Sequence, residues 1–290
     1  MTVKRHWRAI VLAGLVAGNG LIWFVMWQFA RPQPLVLAFL DVGQGDAIYI
    51  EAPSGNQLLI DAGGGKQILP ALAAVMPFYD RSLDVVIATH PDADHIGGLA
   101  SVLESYEVVG IMDTGLSSDT ATYRAFMEAV DNEVSVGSQN LAASAGARIN
   151  LDRQVYLDIL WPRQVFANQE ANGASVVARL VYGETSALLT GDAPIAVERA
   201  LLATYPNLQA DILKVGHHGS KTSSDSDFLA QLASRYAIIS AGAGNRYGHP
   251  TQAVLDKLAA AGAKILRTDR LGTIICRSDG SEFACLPASR

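Results

Sequence analysis

The sequence predicts an α/β protein with one N-terminal transmembrane helix followed by an αββα sandwich, in which two β-sheets are covered by helices. Three observations predict it. A run of 22 residues without charge, Ala9–Ala30, lies near the N-terminus. After residue 35, short apolar runs of strand length occur in pairs and are interspersed with helical segments. The 290 residues are 50% hydrophobic, which is ample for a packed core.

Composition excludes several classes of protein. Only 17% of the residues are charged, and the apolar content is too high for a disordered tail. Two cysteines exclude a disulfide scaffold and a cysteine-based zinc finger. The net charge of −6 gives no general basic footprint, so affinity for nucleic acid would need a local patch or metal ions.

The N-terminal run is predicted to be an uncleaved membrane anchor. As a helix it would span roughly 33 Å, enough for a bilayer core. Its distal half is bulky and lacks a small-residue cleavage site, which favours an anchor over a cleaved signal peptide or a buried soluble helix. Basic residues precede it, so we expect a single pass through the cytoplasmic (inner) membrane with the rest of the chain outside the cytoplasm. The basic residues are Lys4, Arg5 and Arg8, and the aromatic residues near its ends are Trp7, Trp23, Phe24, Trp27 and Phe29.

The chain is predicted to divide into an anchor, residues 1–31, and one domain, residues 35–287, joined by the stiff linker Arg31–Pro34. In the first half of the domain, apolar runs predict strands and mixed segments predict helices. The predicted strands are Leu35–Leu40, Ala47–Glu51, Gln57–Ile60, Leu83–Ala88 and Val108–Met112, and the predicted helices are Ile68–Met76, Ile96–Leu103 and Thr120–Val130.

The second half repeats this style, with a loop predicted at Asn168–Ala174. The predicted strands are Val155–Leu160, Ser175–Val181, Ala187–Leu189, Ile212–Val215, Ala237–Ser240, Lys264–Arg267 and Thr273–Cys276, and the predicted helices are Ile195–Ala203, Asp227–Ala233 and Gln252–Ala261.

The strongest chemical signal is a histidine and aspartate cluster that follows an apolar strand. His90, Asp92, Asp94 and His95 fall within six residues. His90 and Asp92 alternate, so an extended backbone points both the same way, and the next pair begins a helix. Imidazoles and carboxylates without thiolates suit zinc or manganese. The alternative interpretation is a helix cap with chance histidines.

Other short polar clusters also follow apolar strands. Asp61 precedes a glycine turn and could orient a ligand from behind, and Asp192 could bridge two cations. His217 and His218 lie between glycines, which is typical of a ligand loop rather than of packing. Asn245, Arg246 and His249 lie in a loop that could grip an anionic substrate, with Arg246 contacting phosphate. Taken alone, Asp61, Asp192 and the loop 245–250 could each be an ordinary turn or loop, whereas the pattern around His217 and His218 is more specific and has a surface loop only as its alternative.

In this order the clusters resemble the metallo-β-lactamase superfamily, which has an αββα fold and a His-x-His-x-Asp-His signature. Here Asp92 occupies the second histidine position. Phe39–Ala47, Thr190–Asp192, Gly216–Ser220 and Gly248–Pro250 more narrowly resemble the hydrolase domain of ComEC-type DNA-uptake (competence) proteins. The resemblance covers roughly Leu35–Pro287.

The resemblance implies a two-metal site with the following roles. His90 and Asp92 would hold one ion, Asp94 and His95 the other, and Asp192 would bridge them. His217 and His218 would complete the site, Asp61 would orient ligands, and Asp94 and His249 would act in catalysis. Asn245 and Arg246 would bind substrate, while Asp41 and Asp46 of the opening motif would be structural.

Two departures from the family pattern matter. No histidine occurs between His95 and Asp192, where the superfamily has one, so Asn172 or a water would fill that place. Together with Asp92, this leaves the first ion fewer nitrogen ligands and favours Mn²⁺ over a strictly zinc site. A single apolar span does not make a channel, so a DNA-uptake channel would be a separate partner.

The resulting prediction is a membrane-anchored hydrolase with two divalent ions, Zn or Mn, that cleaves phosphodiesters, most notably DNA. The alternatives are a metallohydrolase of a small ester, lactone or phosphocholine-like group and a non-catalytic relic that only binds.

The two cysteines are predicted to close a β-hairpin near the C-terminus. Two turn registers compete. With Asp279 and Gly280 at the centre of the turn, Cys276 would face Phe283. With Gly280 and Ser281 at the centre, Cys276 lies opposite Cys285, and a disulfide can form outside the cytoplasm. The alternative is two small buried thiols.

Overall fold

A computed structural model describes residues 6–29, 33–166 and 169–288 of the chain. The predictions that involve Lys4, Arg5, Arg31, Pro32 and Asn168 lie outside the described residues, as do those on the side chains of Trp27 and Phe29. The chain divides into two compact units, residues 1–33 and 34–290.

The first unit contains helix α1, Trp7–Phe29. Its window Trp7–Phe24 has a mean hydropathy of 1.4, and none of these residues is buried. This helix is long and apolar enough to cross a bilayer, although signal sequences and some buried helices have the same length and composition. The anchor therefore stays a prediction.

The second unit has short strands and helices in mixed order. Its strands are β1 Leu35–Phe39, β2 Ile48–Glu51, β3 Gln57–Ile60, β4 Ser82–Ile87, β5 Glu107–Asp113, β6 Gln139–Ala142, β7 Arg148–Asn150, β8 Val155–Trp161, β9 Val177–Tyr182, β10 Thr185–Leu189, β11 Ile212–Lys214, β12 Tyr236–Ile239, β13 Lys264–Arg267, β14 Ile274–Ser278 and β15 Phe283–Pro287. Its helices are α2 Ile68–Ala73, α3 Ala93–Ile96, α4 Leu99–Leu103, α5 Ala121–Val136, α6 Ile195–Thr204, α7 Ser226–Leu232, α8 Gln252–Ala260 and α9 Thr268–Leu271.

These elements form the predicted αββα sandwich. One sheet has the order β15-β14-β1-β2-β3-β4-β5-β6 and the other β13-β12-β11-β10-β9-β8-β7. A central apolar core between the sheets joins residues such as Phe39 and Leu180. A second core lies under α2–α5 and a third under α6–α8, because alternate strand residues face opposite sides of each sheet.

Most predicted elements are confirmed, with shifts at their ends. Gln57–Ile60 and Lys264–Arg267 coincide with β3 and β13. The helix predicted over Ile96–Leu103 is wrong as one piece, because the chain forms α3 and α4 around Gly97 and Gly98. The two glycines pack against the backbone of the segment 62–65, where a side chain would collide. Sequence analysis missed β6, whose residues are all exposed, and the short elements β7 and α9.

The C-terminal hairpin adopts the register with Gly280 and Ser281 at the turn centre. Cys276 pairs with Cys285, and Ser278 pairs with Phe283. The two cysteines form a disulfide with a Cα–Cα distance of 4.0 Å. The predicted bond is therefore confirmed, and it ties β14 to the edge strand β15.

Removing this disulfide is expected to lower the free energy of unfolding by about 2–3 kcal/mol, because the bond closes a short loop and restricts the unfolded chain. The variant Cys276→Ala/Cys285→Ala, compared with the wild type in denaturant with and without a reductant, measures this. Reduced wild type should match the double variant. Equal midpoints for oxidised and reduced wild type would show that the bond contributes nothing.

Candidate metal centre

The predicted site residues meet at one end of the sandwich, where parallel strands of both sheets end. Asp61 follows β3, and the signature segment His90–His95 follows β4, with β3 and β4 parallel. Asp192 follows β10, and His217 and His218 follow β11, which is parallel to β10. The carboxyl ends of parallel strands lie at the same edge of a sheet, so residues that are far apart in sequence converge here.

Three buried histidines are oriented by contacts at the Nδ1 atoms of their rings. The Nδ1 atom of His95 donates to Asp61 Oδ2 at 2.7 Å, and that of His218 donates to the carbonyl of Ser240 at 3.0 Å. Thr89 Oγ1 donates to Asp61 Oδ2 at 2.6 Å and so accepts from His90 Nδ1 at 2.9 Å. With Nδ1 as the donor, the neutral form of each ring presents the lone pair of Nε2.

These Nε2 atoms point into the site. The Nε2 atoms of His90, His95 and His218 and the Oδ1 atom of Asp192 are buried and have no hydrogen-bond partner among the described residues. Buried polar atoms are nearly always satisfied, so a converging unsatisfied set indicates a missing ligand. Imidazoles oriented by a carboxylate or a carbonyl are typical of metal ligands. The residues therefore fit a divalent metal centre.

Asp192 lies between two groups of ligands. Its Oδ1 is 3.3 Å from His95 Nε2 and 3.6 Å from His218 Nε2. Its Oδ2 is 4.0 Å from His90 Nε2 and 3.8 Å from His217 Nε2. Each carboxylate oxygen thus faces its own pair of imidazoles, so this one carboxylate could contact two ions.

The remaining carboxylates extend the two groups. Asp94 Oδ2 is 3.4 Å from His218 Nε2, and Asp92 Oδ2 is 3.6 Å from His90 Nε2. The side chain of Asp92 is 49% exposed, whereas that of His90 is fully buried. The cluster is therefore shielded from solvent on the side of His90 and open to solvent on the side of Asp92.

Backbone conformation explains how adjacent histidines reach different groups. His217 and His218 both have positive φ, at 49° and 53°, which is uncommon for residues with side chains. Thr222 Oγ1 lies 3.0 Å from His217 Nδ1 and holds that ring. His217 faces the same oxygen of Asp192 as His90, on the side where the sequence lacks the additional histidine of the superfamily pattern. Asn172 lies behind the ring of His217, with its Nδ2 atom 3.5 Å from His217 Nδ1.

Charge within the cluster changes its protonation. Burial lowers the pKa of His218, but the nearby carboxylates of Asp192, Asp46 and Asp94 outweigh it and raise the pKa to about 9. Burial also lowers the pKa of His95, yet Asp192 and Asp61 hold it well above its ordinary value. The imidazolium neighbours in turn keep the pKa of Asp192 well below its usual range despite burial.

Metal binding is therefore expected to release protons. At pH 7 both His95 and His218 are imidazolium ions in the metal-free protein. Each must lose the proton on Nε2 before that atom can bind a metal ion. The ion that these residues share should release about two protons, and its affinity should rise with pH up to about pH 9. Calorimetry in buffers of different ionisation enthalpy counts these protons. A binding heat independent of the buffer would contradict the expectation.

The loop 245–250 borders the open side. The ring of His249 lies 5.7 Å from that of His217 and 6.0 Å from that of Tyr247. Burial and then the nearby His217 and His218 lower the pKa of His249, so it is neutral at pH 7. Arg246 is exposed and donates to the Tyr247 hydroxyl at 2.9 Å. The side chain of Asn245 bonds the loop backbone, including the carbonyl of His249 at 2.6 Å.

Sequence analysis treated two contributors to the site incompletely. The sequence predicts Asp46 as structural and gives Lys214 no role, yet both are buried, with Asp46 3.4 Å from His218 and Lys214 paired to Asp46. A charged residue inside an apolar strand run, as at Lys214, is the signal that could have drawn attention to it.

Two facing sheets covered by helices, with buried histidines and aspartates at their strand ends, define an αββα protein with a candidate metal centre. Residues 40–243 match the model of the Metallo-beta-lactamase superfamily. The chain belongs to this superfamily, as the sequence resemblance predicted.

The chain is also similar in sequence to individual curated proteins. The chain is 34% identical over 253 residues to ComE operon protein 3 of Bacillus subtilis (strain 168), covering 81% of this chain and 32% of that protein. It is 30% identical over 275 residues to Competence protein ComA of Neisseria gonorrhoeae, covering 93% and 35%. The chain thus spans about a third of the length of these curated relatives.

A solved structure supports the fold. Igni18, described as a novel metallo hydrolase from Ignicoccus hospitalis KIN4/I, has a TM-score of 0.50 over 84% of this chain and 98% of that chain. At 15% identity this likeness shows the fold alone.

Proposed function

We propose that this protein is a metal-dependent phosphodiesterase that acts on DNA at a membrane surface. The observation that carries the proposal is Asp192, whose two oxygens face two separate pairs of imidazoles. Two-ion sites of this kind are typical of phosphoester cleavage. Similarity to proteins named for competence supports DNA as the substrate.

The proposed ligands form two sets that share Asp192. Divalent ions bound there would supply Lewis acidity, which acidifies water and stabilises the attacking and leaving oxygens of a displacement at phosphorus. Each set has two imidazoles and one carboxylate beside the shared Asp192, a mixture of nitrogen and oxygen donors that suits either Zn²⁺ or Mn²⁺. The first set is His90, Asp92 and His217, and the second is Asp94, His95 and His218.

Other residues would position the substrate. Neutral His249, next to His217, donates a hydrogen bond to a phosphoryl or leaving oxygen, and its lowered pKa favours this role over delivery of a full proton. Arg246 contacts a neighbouring phosphate. Asn245 is proposed to shape the loop that presents both residues, since its amide bonds that backbone.

Exposure supports a polymeric substrate. One face of the cluster opens to solvent, because the side chain of Asp92 is 49% exposed and that of His217 is 26% exposed. A DNA strand could lie across this face with one phosphate at the ions. A small ester would contact the protein on few sides, so the open face favours a polymer.

An activity screen tests the proposal. The full chain in detergent, loaded with Mn²⁺ or Zn²⁺, is assayed against single-stranded DNA, duplex DNA and bis-p-nitrophenyl phosphate, with an ester and a lactone as comparisons. We expect cleavage of DNA and of the small phosphodiester. Hydrolysis of the ester or lactone alone would favour the small-substrate alternative, and metal binding without turnover would favour a relic.

The membrane part of the proposal has its own test. The helix α1 is proposed to be retained, with the catalytic domain outside the cytoplasm and DNA passage left to a separate channel protein. Mass spectrometry of the membrane fraction should find an intact N-terminus. A mature chain that begins near residue 31 would overturn the anchor.

A further inference from the structure

A buried ion pair lies beneath the metal centre and outside its ligand sets. Lys214 has no exposed side-chain area, and that of Asp46 is 1% exposed. The Nζ atom of Lys214 is 2.5 Å from Asp46 Oδ2 and also donates to the carbonyl of Val215 at 3.1 Å. Charged residues are almost never fully buried unless they are paired, so this pair needs an explanation.

The pair connects the two sheets at the site. Asp46 precedes β2 of one sheet, and Lys214 ends β11 of the other, four residues before His218. Ile212 on the same face of β11 lies in the core between the sheets. Lys214 therefore points inward and reaches the opposite sheet, which ties the opening motif to the strand that carries the histidines.

Asp46 also contacts a proposed ligand. Its Oδ1 lies 3.4 Å from His218 Nδ1, beside the carbonyl of Ser240 at 3.0 Å. The Ser240 carbonyl accepts the hydrogen bond of Nδ1, and the Asp46 carboxylate attracts the same N–H group from 3.4 Å, so the two oxygens fix the plane of the ring and keep Nε2 directed at Asp94 and Asp192.

Lys214 keeps Asp46 in this place. Ligand atoms of Asp46, Asp61 and His95 lie within 4.8 Å of one another, so two buried carboxylates are close together. Without a counter-charge, repulsion from Asp61 and the loss of hydration would drive Asp46 away. The Lys214 ammonium offsets both effects.

We infer that the Asp46–Lys214 pair is a positioning device for His218, which it orients for the ion held by Asp94, His95 and His218. This inference rests on the proposed metal centre. Loss of the Asp46 carboxylate should lower the affinity for that ion by 10- to 100-fold, as is typical when a group that orients a metal ligand is lost. The affinity for an ion held by His90 and His217 should change less.

Two double variants separate positioning from simple stability. Asp46→Asn/Lys214→Met removes both charges but keeps an acceptor oxygen for His218. Asp46→Leu/Lys214→Met removes the charges and the acceptor together. Replacing both members of a buried pair is usually tolerated, whereas removing one member leaves an unpaired charge. The matched control is Arg267→Met/Asp269→Leu, which removes another largely buried ion pair, at 2.6 Å, outside the site.

The measurements are calorimetric binding of Co²⁺ to each full-length variant and the Co²⁺ absorption spectrum. Wild type and control should bind two ions with the same spectrum. The asparagine variant should stay within a few-fold of wild type, and the leucine variant should lose affinity for one ion and change its spectrum.

Equal affinities and spectra for both double variants would overturn the inference while leaving the metal centre intact. If wild type binds no ion, the proposed function itself fails. Should the leucine variant not fold, Asp46→Ala/Lys214→Met provides the same comparison without the bulk of leucine.

Discussion

Replacing Asp192 by asparagine is expected to reduce metal-dependent phosphodiester cleavage by about 10³-fold or more. The amide keeps the shape of the side chain but loses the charge, and only one of its two polar atoms can accept. Since Oδ1 faces His95 and His218 while Oδ2 faces His90 and His217, the variant cannot serve both sets. It should therefore retain at most one tightly bound ion.

Metal content after gel filtration and the rate with bis-p-nitrophenyl phosphate measure this effect. The control is Asp256→Asn, the same change on the exposed face of α8, where Asp256 accepts a hydrogen bond from Gln252 at 2.8 Å that asparagine can also accept. The control should match wild type in both readouts. Full activity of the Asp192 variant would remove the bridging carboxylate from the mechanism.

Replacing Gly45 by alanine is expected to lower the free energy of unfolding by about 3–5 kcal/mol, combining a strained backbone with overpacking. Gly45 has φ of +117°, and a Cβ there would lie 1.8 Å from the backbone oxygen of Asp94. That backbone belongs to α3, which carries Asp94 and His95. The opening motif and the ligand segment must therefore move apart, which also displaces two proposed ligands.

Gly55→Ala provides the matched control. Gly55 also has positive φ, +90°, but a Cβ there meets nothing within 4 Å. It should cost only about 1 kcal/mol, the backbone part of the effect. Chemical denaturation of the metal-free proteins measures both values. Similar losses for the two variants would show that contact with Asp94 is unimportant.

The layers of the fold and the candidate site residues follow from local patterns in the sequence. Apolar runs as short as Gln57–Ile60 mark strands because burial on both faces requires continuous hydrophobic side chains. The run His90–His95 also stands out locally, since four side chains that can bind metal directly follow a buried strand. The cysteine pair was predicted from turn chemistry, although two registers remained open until the pairing of Cys276 with Cys285 was observed.

How these residues divide between the two proposed ions depends on the tertiary structure. Adjacent His217 and His218 look equivalent in sequence, but consecutive left-handed backbone conformations send their rings to opposite oxygens of Asp192. The exposed strand β6 was missed because nothing on it is buried, so it carries no hydrophobic period. The pairing of Asp46 with Lys214 joins residues 168 positions apart, and no local pattern encodes a contact that depends on how two sheets pack face to face.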